Sequence, residues 1–231
     1  MEVEGACSLR AGKGLDGRLH TFVNPYSYRV LRKLRPDVLR GEAFLVHFDG
    51  ISLALLARVC GGRTVQRESF DDTSLAPVVF SECVSHGLSV ALIGSLPGVA
   101  ASAADHLMRR YPALNVKFVS DGYFPEEMLS EVLARAAQCD VVICSMGTPH
   151  QEDLLLKLRA YAWKGTGYTC GGYLDQLVGS EGVSYYPLLM DKLNLRWLYR
   201  IWKEPRRLIP RYAIDYPVGL VAFVLDRVYF R

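Results

Sequence analysis

The chain has 231 residues, of which 50% are hydrophobic and 22% are charged, with a formal net charge of +3 at pH 7. This composition excludes a disordered, low-complexity or repeat protein and is sufficient for one large α/β core with an appendage. The charge is uneven: nine Lys or Arg residues and four acidic residues follow position 190, so that end carries +5 and the first 190 residues carry −2. We therefore expect an anionic partner for the C-terminal end only, and no nucleic acid.

Cysteines and apolar runs indicate where such a chain would reside. The first fourteen residues lack the apolar centre of a signal peptide, and the six cysteines form no CxxC pair, so we expect reduced, buried thiols in a cytoplasmic protein. The longest apolar run, Val218 to Leu225, is about eight residues against the roughly twenty needed to cross a bilayer. If a membrane is involved, we expect the chain to lie on it.

Short β-branched runs alternate with longer helical patterns through the first 170 residues. The predicted strands are 19–23, 43–48, 89–93, 116–119, 141–144 and 167–170. The predicted helices are 26–34, 51–59, 75–86, 99–110, 125–138 and 151–163. This alternation predicts an α/β fold with a mostly parallel sheet and helices on both faces.

Polar and glycine-rich turns follow the predicted strands. They are Asn24-Pro25, Asp49-Gly50, Gly94 to Gly98, Asp121 to Phe124, and Gly147 to Glu152. Because ligands of open parallel sheets bind outside the carboxyl ends of the strands, we expect these turns to form the functional edge.

Asp49 is the best candidate for a general base. It follows the apolar run AFLVHF and precedes a glycine, where a carboxylate is partly desolvated and still reaches a substrate. The alternative is that Asp49 caps the helix that begins near Ile51, a common role for Asp.

Two other turns have features of ligand-binding loops. Gly94-Ser95-Leu96-Pro97-Gly98 precedes an alanine-rich helix and would let backbone N–H groups approach a phosphate, although it lacks GxGxxG spacing and could be only a helix start. In the turn at Gly147, Gln151 offers a donor and an acceptor, and Glu152 could merely complement the helix dipole.

Several motifs are absent from the sequence. There is no GxxxxGK[ST], HExxH or GxSxG motif, and no Asp-x-Asp pair at a strand end to hold a divalent metal. The histidines at 47, 86 and 106 are scattered, so we interpret them as structural or exposed. We expect no metal and no cofactor, so arginines would have to stabilise a leaving diphosphate.

The segment RWLYRIWKEPRRLIPRY, residues 196–212, is a basic amphipathic pattern with interfacial aromatics. Pro205 fits the first position of a helix, whereas Pro210 should kink or end it, so we predict two short helices. The alternative is that the aromatics pack on the core and the charges are solvated. We divide the chain into a catalytic domain at 1–190 and a membrane-associating appendage at 191–231.

The ordered set of motifs resembles the WecG/TagA/CpsF family of bacterial glycosyltransferases, glycosyltransferase family 26. The resemblance runs from about Thr21 to Tyr212. It rests on TFVNP at 21–25, DG at 49–50, ALIGSLPGVA at 91–100, YP at 111–112, DGYF at 121–124, GTPHQE at 147–152, GGYLD at 171–175, WLYR at 197–200 and EPRR at 204–207.

The resemblance implies a Rossmann-like domain and metal-independent, inverting transfer from a UDP-sugar to a polyprenyl-diphosphate-linked saccharide at the cytoplasmic membrane face. It places Asp49 as the base, and Thr21, Gln151, Arg200 and Arg207 as further catalytic residues, with the two arginines closing over the diphosphate. The substrate-binding residues that we predict with it are Asn24, Arg67, Gly94, Pro97, Gly122, Tyr123, Gly147, Glu152, Asp175 and Arg211.

We therefore predict an enzyme of bacterial exopolysaccharide or cell-envelope glycan synthesis, peripheral on the inner face of the cell membrane. A homo-oligomer is left open. Two alternatives come from other classes: a non-catalytic peripheral membrane module that binds a nucleotide sugar, and a nucleotide-dependent oxidoreductase. Asn24-Pro25 is wrong for the oxidoreductase, which needs glycines in the first turn.

Overall fold

A computed structural model describes residues 15–61, 65–179, 201–202 and 205–229. Its centre is a six-stranded, all-parallel sheet in the order β2-β1-β6-β5-β3-β4. The strands are β1 Leu19–Val23, β2 Phe44–Phe48, β3 Ser89–Gly94, β4 Asn115–Ser120, β5 Val141–Ser145 and β6 Thr166–Thr169. All six predicted strands are thereby confirmed, within about a residue at each end.

Helices connect the strands in the alternation that the sequence predicts. They are α1 Pro25–Leu34, α2 Pro36–Leu39, α3 Ile51–Gly61, α4 Ala76–Ser85, α5 Val99–Arg110, α6 Leu129–Ala136, α7 His150–Ala160 and α8 Tyr173–Gly179, with a 3₁₀ turn at Glu126–Met128. The Rossmann-like α/β class is confirmed.

The sheet is buried on both faces, as a parallel sheet with helices on either side must be. In β5, Val142 and Cys144 join one apolar cluster, whereas Val141 and Ile143 join the other, because successive side chains point to opposite faces. The predicted burial of cysteines is confirmed for Cys83, Cys139, Cys144 and Cys170, which are free thiols, and burial raises the pKa of Cys83 to about 12. Cys60 is only partly buried, and Cys7 lies outside the described residues.

The C-terminal described segment agrees with the prediction in part. Helix α9, Pro205–Pro210, begins at Pro205 and ends as a regular α-helix at Pro210, as predicted. A π-helical turn at Arg211–Asp215 follows and leads into α10, Tyr216–Tyr229. Pro210 has no N–H for an α-helical bond, and the widened π turn carries the chain past that defect. The predicted second helix from Pro205 to Pro210 is therefore confirmed, whereas the helix expected before Pro205 lies largely outside the described residues and stays a prediction.

Helix α10 packs against α1. At Gly219 the two helices approach so closely that a Cβ would overlap the backbone carbonyl of Pro25. Phe223 is 2% exposed and lies edge-on to Tyr28 and Phe48. The helix is thus part of the same core as β2 and α1. The domain division at 190/191 stays a prediction, since that boundary lies outside the described residues.

Polar contacts reinforce this helix pair. The Asp226 carboxylate accepts hydrogen bonds from the Tyr28 hydroxyl at 2.6 Å and from the Arg32 guanidinium at 2.8 Å. Although burial opposes ionisation, the Arg32 and Tyr28 bonds lower the pKa of Asp226. Arg29 forms a second ion pair with Asp215 in the π turn. The residue before α10 and the last turns of α10 are consequently both tied to α1.

Length alone does not exclude a membrane-spanning helix here. Within the described residues, Leu208–Asp226 forms a helical stretch of 19 residues with a mean hydropathy of 1.4, of which 17% is buried. The helical stretch is longer than the eight-residue apolar run because it continues through Pro210 and the π turn, and the expectation that the chain lies on the membrane stays a prediction. This length and composition are weak evidence for a span, and the contacts with α1 have to be weighed against them.

We expect the substitution Gly219→Ala to destabilise the protein. Alanine normally stabilises a helix interior by about 1 kcal/mol relative to glycine. Here the added Cβ would meet the Pro25 carbonyl, and such overpacking costs about 1–3 kcal/mol. Thermal unfolding should show a lower midpoint, and hydrogen exchange should become faster in α10. Val218→Ala, at an exposed position of the same helix, is the control. A higher unfolding midpoint for Gly219→Ala would contradict this packing.

Candidate active site

The carboxyl ends of the six strands form one edge, where the predicted turns meet. The turn after β4 contacts the turn after β3: the Gly122 N–H donates to the Ser95 carbonyl at 2.9 Å, and a Cβ at Gly122 would lie 3.1 Å from the Gly94 Cα. Gly94 itself has φ +142°, and a Cβ there would overlap the Ser145 carbonyl. Glycine is required at these positions because three backbone segments converge there.

Asp49 lies at this edge, directly after β2. Its side chain is 35% exposed, and its Oδ1 lies 3.4 Å from the Arg67 guanidinium. Arg67 also donates to the Ser69 hydroxyl at 3.2 Å. Helix α3 begins at Ile51, which makes Gly50 its cap residue. The carboxylate is therefore accessible and faces a cation, an arrangement that suits a base in a site for charged substrates.

A buried carboxyl group, Glu152, lies beneath the edge. It is fully buried at the start of α7. Its Oε1 accepts hydrogen bonds from the Thr21 hydroxyl at 2.9 Å, the Gln151 amide at 3.1 Å and the Thr148 hydroxyl at 3.3 Å. Thr169 on β6 donates to Thr21 at 3.2 Å. This network joins β1, β6 and the turn after β5.

The second oxygen of this carboxyl group has a different environment. Glu152 Oε2 is buried without a hydrogen-bond partner among the described residues. Burial raises the pKa of Glu152, although hydrogen bonds from Gln151, Thr21 and Thr148 oppose the rise. The environment thus favours the protonated acid. Glu152 does lie in the first turn of α7, so its alternative role as a complement to the helix dipole stays a prediction.

Gln151 connects this network to the turn after β6. It is 3% exposed, and its Oε1 accepts the Gly171 N–H at 3.2 Å. In the same turn region, Asp175 is exposed at the start of α8, and its carboxylate accepts the Ser95 hydroxyl at 2.8 Å. The structure therefore brings the predicted residues of the β5, β6 and β3 turns together through side-chain bonds.

Asn24 has a local structural role at this edge. Its side chain accepts the Ser27 N–H at 3.0 Å, and its own N–H donates to the Ser27 hydroxyl at 2.8 Å, which forms a capping box at the start of α1. This cap fixes the residue at which α1 begins, and α10 in turn packs against α1. A direct contact of Asn24 with substrate stays a prediction.

The C-terminal helical segment reaches the same edge. Burial raises the pKa of Tyr216, with Tyr212 and Asp49 close enough to add to the rise and Arg211 close enough to oppose it. The Arg211 guanidinium lies 3.9 Å from the centroid of the Tyr26 ring, a cation–π contact. Arg211 is thus held between α1 and the region of Asp49.

The other predicted site residues have mixed settings. Pro97 and Tyr123 are exposed on the rim, Tyr123 by 73%, and Gly147 has φ +72°, which only glycine adopts readily. Arg200 lies outside the described residues, as does the WLYR motif that contains it. Arg207 belongs to α9, but its side chain is not described. The predicted arginine clamp therefore stays a prediction.

Within the described part of the chain, no group of three His, Cys, Asp or Glu side chains could hold a metal.

Sequence reasoning missed several buried polar residues. Thr169 supports Thr21, Thr148 supports Glu152, and His20 contacts His47 across β1 and β2. The available signal was a polar residue inside an otherwise apolar strand, as at His20 and Thr21, since a buried polar group requires a partner. Which partner it has depends on strand order, which periodicity does not give.

We expect Glu152→Gln to change how stability depends on pH. The folded-state pKa of Glu152 lies above its ordinary value of 4.5, so its contribution to stability is complete below that value and is lost as pH rises through the folded pKa. Glutamine does not ionise. The unfolding midpoint of the variant relative to wild type should therefore increase between about pH 4 and pH 8.

The control for this measurement is Glu131→Gln on α6, where the side chain is 61% exposed. Its unfolding midpoint should follow that of the wild type at each pH. A Glu152→Gln midpoint that falls relative to wild type as pH rises would show that the buried group is held as a stabilising carboxylate.

Relatives of this chain are known. One from Shigella boydii is named UDP-Gal:alpha-D-GlcNAc-diphosphoundecaprenol beta-1,4-galactosyltransferase; it is 32% identical over 212 residues, covering 90% of this chain and 86% of the relative. Another, from Bacillus subtilis strain 168, is named N-acetylglucosaminyldiphosphoundecaprenol N-acetyl-beta-D-mannosaminyltransferase; it is 29% identical over 187 residues, covering 77% of this chain and 70% of the relative.

The family comparison covers nearly the whole chain. Residues 8–231 match the description Glycosyl transferase WecG/TagA/CpsF family. This match includes both the sheet with its polar edge and the C-terminal helices, and it argues against the oxidoreductase alternative. The chain is a glycosyltransferase that belongs to the WecG/TagA/CpsF family.

Proposed function

We propose that this enzyme transfers a sugar from a UDP-sugar to a polyprenyl-diphosphate-linked saccharide in the synthesis of a bacterial envelope or extracellular glycan. The names of both relatives specify acceptors that carry N-acetylglucosamine on diphosphoundecaprenol, and one name specifies UDP-Gal as donor. Both names also specify a β-linked product. A donor whose sugar is α-linked to the diphosphate gives a β-linked product by inversion.

The observation that carries the mechanism is the position of Asp49. Its carboxylate is one-third exposed at the carboxyl end of β2, within reach of a substrate in the edge and next to Arg67. In the proposed reaction, Asp49 accepts the proton of the acceptor hydroxyl as the oxygen attacks the anomeric carbon. The new bond forms on the face opposite the departing UDP, which leaves with the electron pair of its glycosidic bond.

The leaving diphosphate needs positive charge. The sequence has no Asp-x-Asp pair at a strand end, and this motivates the proposal of metal-independent transfer with Arg200, Arg207 and Arg211 offsetting the charge on UDP. Support comes from Arg211, which lies within electrostatic range of Tyr216, as Asp49 does. Thr21 and Gln151 would act from below the edge, since both are buried and bonded to Glu152.

We expect Asp49→Asn to lower kcat by about 10²- to 10⁴-fold, because a positioned general base typically contributes that much. The measurement is turnover of a UDP-sugar, chosen from a panel, with a synthetic polyprenyl-diphosphate N-acetylglucosamine acceptor. Asparagine matches the size of aspartate but accepts no proton. Asp105→Asn, at an exposed position on α5, controls for the loss of a carboxylate elsewhere. Wild-type turnover by Asp49→Asn would show that Asp49 is not the base.

We also propose that the enzyme is peripheral on the inner face of the cell membrane, with the C-terminal helix lying on the bilayer. The apolar side chains Ile214, Val218, Val221 and Leu225 are 44–60% exposed and recur with helical spacing. Gly219, Phe223 and Asp226 face α1 instead. A helix held along one side by the domain and apolar on another side suits the membrane surface better than a span.

The double substitution Ile214→Glu/Val221→Glu should weaken binding to anionic vesicles. Each buried apolar side chain contributes about 1.5–3 kcal/mol, and about 1.4 kcal/mol is tenfold, so we expect at least about a tenfold loss in vesicle flotation. Truncation is a poorer test, because it also removes Phe223 from the core.

The matched control is Met108→Glu, which changes an exposed apolar residue on α5. All variants should unfold at temperatures close to wild type, since the substituted side chains are exposed. Unchanged flotation of the double variant would contradict the placement of this face on the membrane.

A further inference from the structure

A continuous chain of four titratable side chains runs across β1 and β2 to the segment 65–70, with two buried histidines at its centre and a partly buried carboxylate at each end. Asp16 Oδ1 is 3.0 Å from His20 Nε2, His20 Nδ1 is 3.0 Å from His47 Nε2, and His47 Nδ1 is 2.6 Å from Glu68 Oε2. His20 and His47 are 0% and 3% exposed. We call these four residues the histidine chain.

Aromatic rings enclose the two imidazoles. His20 stacks on Tyr168 at 4.6 Å between ring centroids and on His47 at 5.2 Å, and His47 stacks on Phe22 at 4.9 Å. The imidazole nitrogens are therefore closed to solvent, and each has a nitrogen or oxygen of the chain as its neighbour. Because bulk water does not reach these nitrogens, their hydrogen bonds are made with other members of the histidine chain.

Hydrogen bonds at all three contacts of the histidine chain require one more proton than two neutral imidazoles supply. This chain has three contacts between electronegative atoms, and each contact needs one shared proton, because two lone pairs facing each other at this distance repel. A neutral imidazole carries one N–H, so two of them provide two protons. The third belongs to an imidazolium or to a protonated carboxyl group.

The environment restricts where the third proton resides. Although burial opposes ionisation, hydrogen bonds from His20 and Arg18 hold the pKa of Asp16 well below its ordinary value. Burial lowers the pKa of His20, with the Asp16 hydrogen bond opposing. Asp16 is therefore ionised and accepts the N–H of a neutral His20, which in turn accepts the N–H of His47. The third proton is left between His47 Nδ1 and Glu68 Oε2.

Among the described residues, Arg18 and Tyr168 contact the histidine chain, and Arg67 is the charged neighbour of Glu68 in sequence. Arg18 pairs with Asp16 at 2.7 Å, and Arg67 adjoins Glu68 in sequence. Tyr168 stays neutral, because burial raises its pKa far above the physiological range. None of these groups supplies the missing proton to the contact between His47 and Glu68: the arginines are bonded elsewhere, and Tyr168 stacks on His20.

The histidine chain ends beside the proposed base. The Glu68 N–H donates to the Phe48 carbonyl at 3.1 Å, so residue 68 lies along the end of β2. Its neighbour Arg67 donates to Asp49 at 3.4 Å. The contact between His47 and Glu68 thus anchors, by a side chain, the same segment that presents Arg67 to Asp49.

We propose that His47 is a positioning residue that shares the third proton with Glu68 and thereby holds the segment 65–70 against β2, with Arg67 placed on Asp49. This rests on the proposed role of Asp49 as base. Loss of the proton leaves a lone pair of His47 facing the Glu68 carboxylate. The contact then repels, and the placement of Arg67 relaxes.

Two substitutions at Glu68 separate the proton from the packing. Glu68→Gln presents an amide N–H that donates to neutral His47 at every pH and requires no third proton. Glu68→Met keeps the length and donates nothing. A misplacement of about 1 Å near the chemistry costs up to about 10²-fold, so we expect Glu68→Met to lower kcat by about 10- to 100-fold with little change in the donor KM.

The pH dependence of kcat distinguishes the proposed role of His47 from a purely structural one, which would not change it. Wild-type kcat should fall at alkaline pH as the third proton is lost. Glu68→Gln should recover most of the kcat that Glu68→Met loses and should lack this alkaline fall. Glu131→Gln, on exposed α6, is the matched control and should keep the wild-type profile. An alkaline fall that is the same in wild type and Glu68→Gln overturns the proposal.

Proton NMR of the ring nitrogens tests the proton count without an assay of activity. In ¹⁵N-histidine-labelled protein, we expect three low-field hydrogen-bonded protons at neutral pH, assigned to the histidine chain by their loss in His20→Gln or His47→Gln. One of them should disappear on alkaline titration and be missing from Glu68→Met. Only two such protons in the wild type would overturn the proposal. Full activity of Asp49→Asn would instead contradict the base assignment while leaving the proton count standing.

Discussion

The geometry of this site depends on the hydrogen bonds that the buried carboxyl group of Glu152 accepts. A carboxyl group without solvent is costly unless hydrogen bonds satisfy it, and three donors converge on one of its oxygens. Those donors come from β1 and from the turn after β5, and Gln151 extends the network to the turn after β6. The central strands are thereby held in relation to one another at the edge where the substrates are proposed to bind.

Helix α1 connects this edge to the C-terminal helix. It begins at Asn24, immediately after β1, and its first turn receives Gly219 of α10 in close contact. Arg29 pairs with the π turn just before α10, and Arg32 pairs with Asp226 near the end of α10. Helix α1 begins at the carboxyl edge of the sheet and packs against α10. The packing of these two helices therefore holds Arg211 near Asp49.

Much of the fold is predictable from the sequence for identifiable reasons. Runs such as VVICS in β5 are too short and too β-branched for a helix, and turn residues bound them, so the strand positions follow closely. The order of the strands does not follow, since it depends on contacts between distant segments. The rule that proline kinks or ends a helix predicts the end of α9 at Pro210, but it does not predict the π turn that joins α9 to α10.

The site is predictable in part. Polar turns at one edge follow from parallel topology, and this topology alone is enough to assign Asp49, Gly94 and Gln151 to the edge where they lie. The partners of buried groups are not predictable in this way. Scattered spacing indicates a structural or exposed His47, whereas its contacts with His20 and Glu68 arise only when β1 pairs with β2 and residue 68 follows the end of β2. The pairing of Arg67 with Asp49, in contrast, agrees with the site that the family resemblance implies.

The stereochemistry of transfer tests the central claim most directly. The full chain would be incubated with the UDP-sugar that it accepts and a synthetic polyprenyl-diphosphate N-acetylglucosamine, and the anomeric configuration of the new bond would be read from its proton coupling by NMR. A single displacement assisted by Asp49 predicts a configuration opposite to that of the donor. A product with the donor's configuration would require a covalent intermediate or a same-face reaction, and it would contradict the assignment of Asp49 as a base.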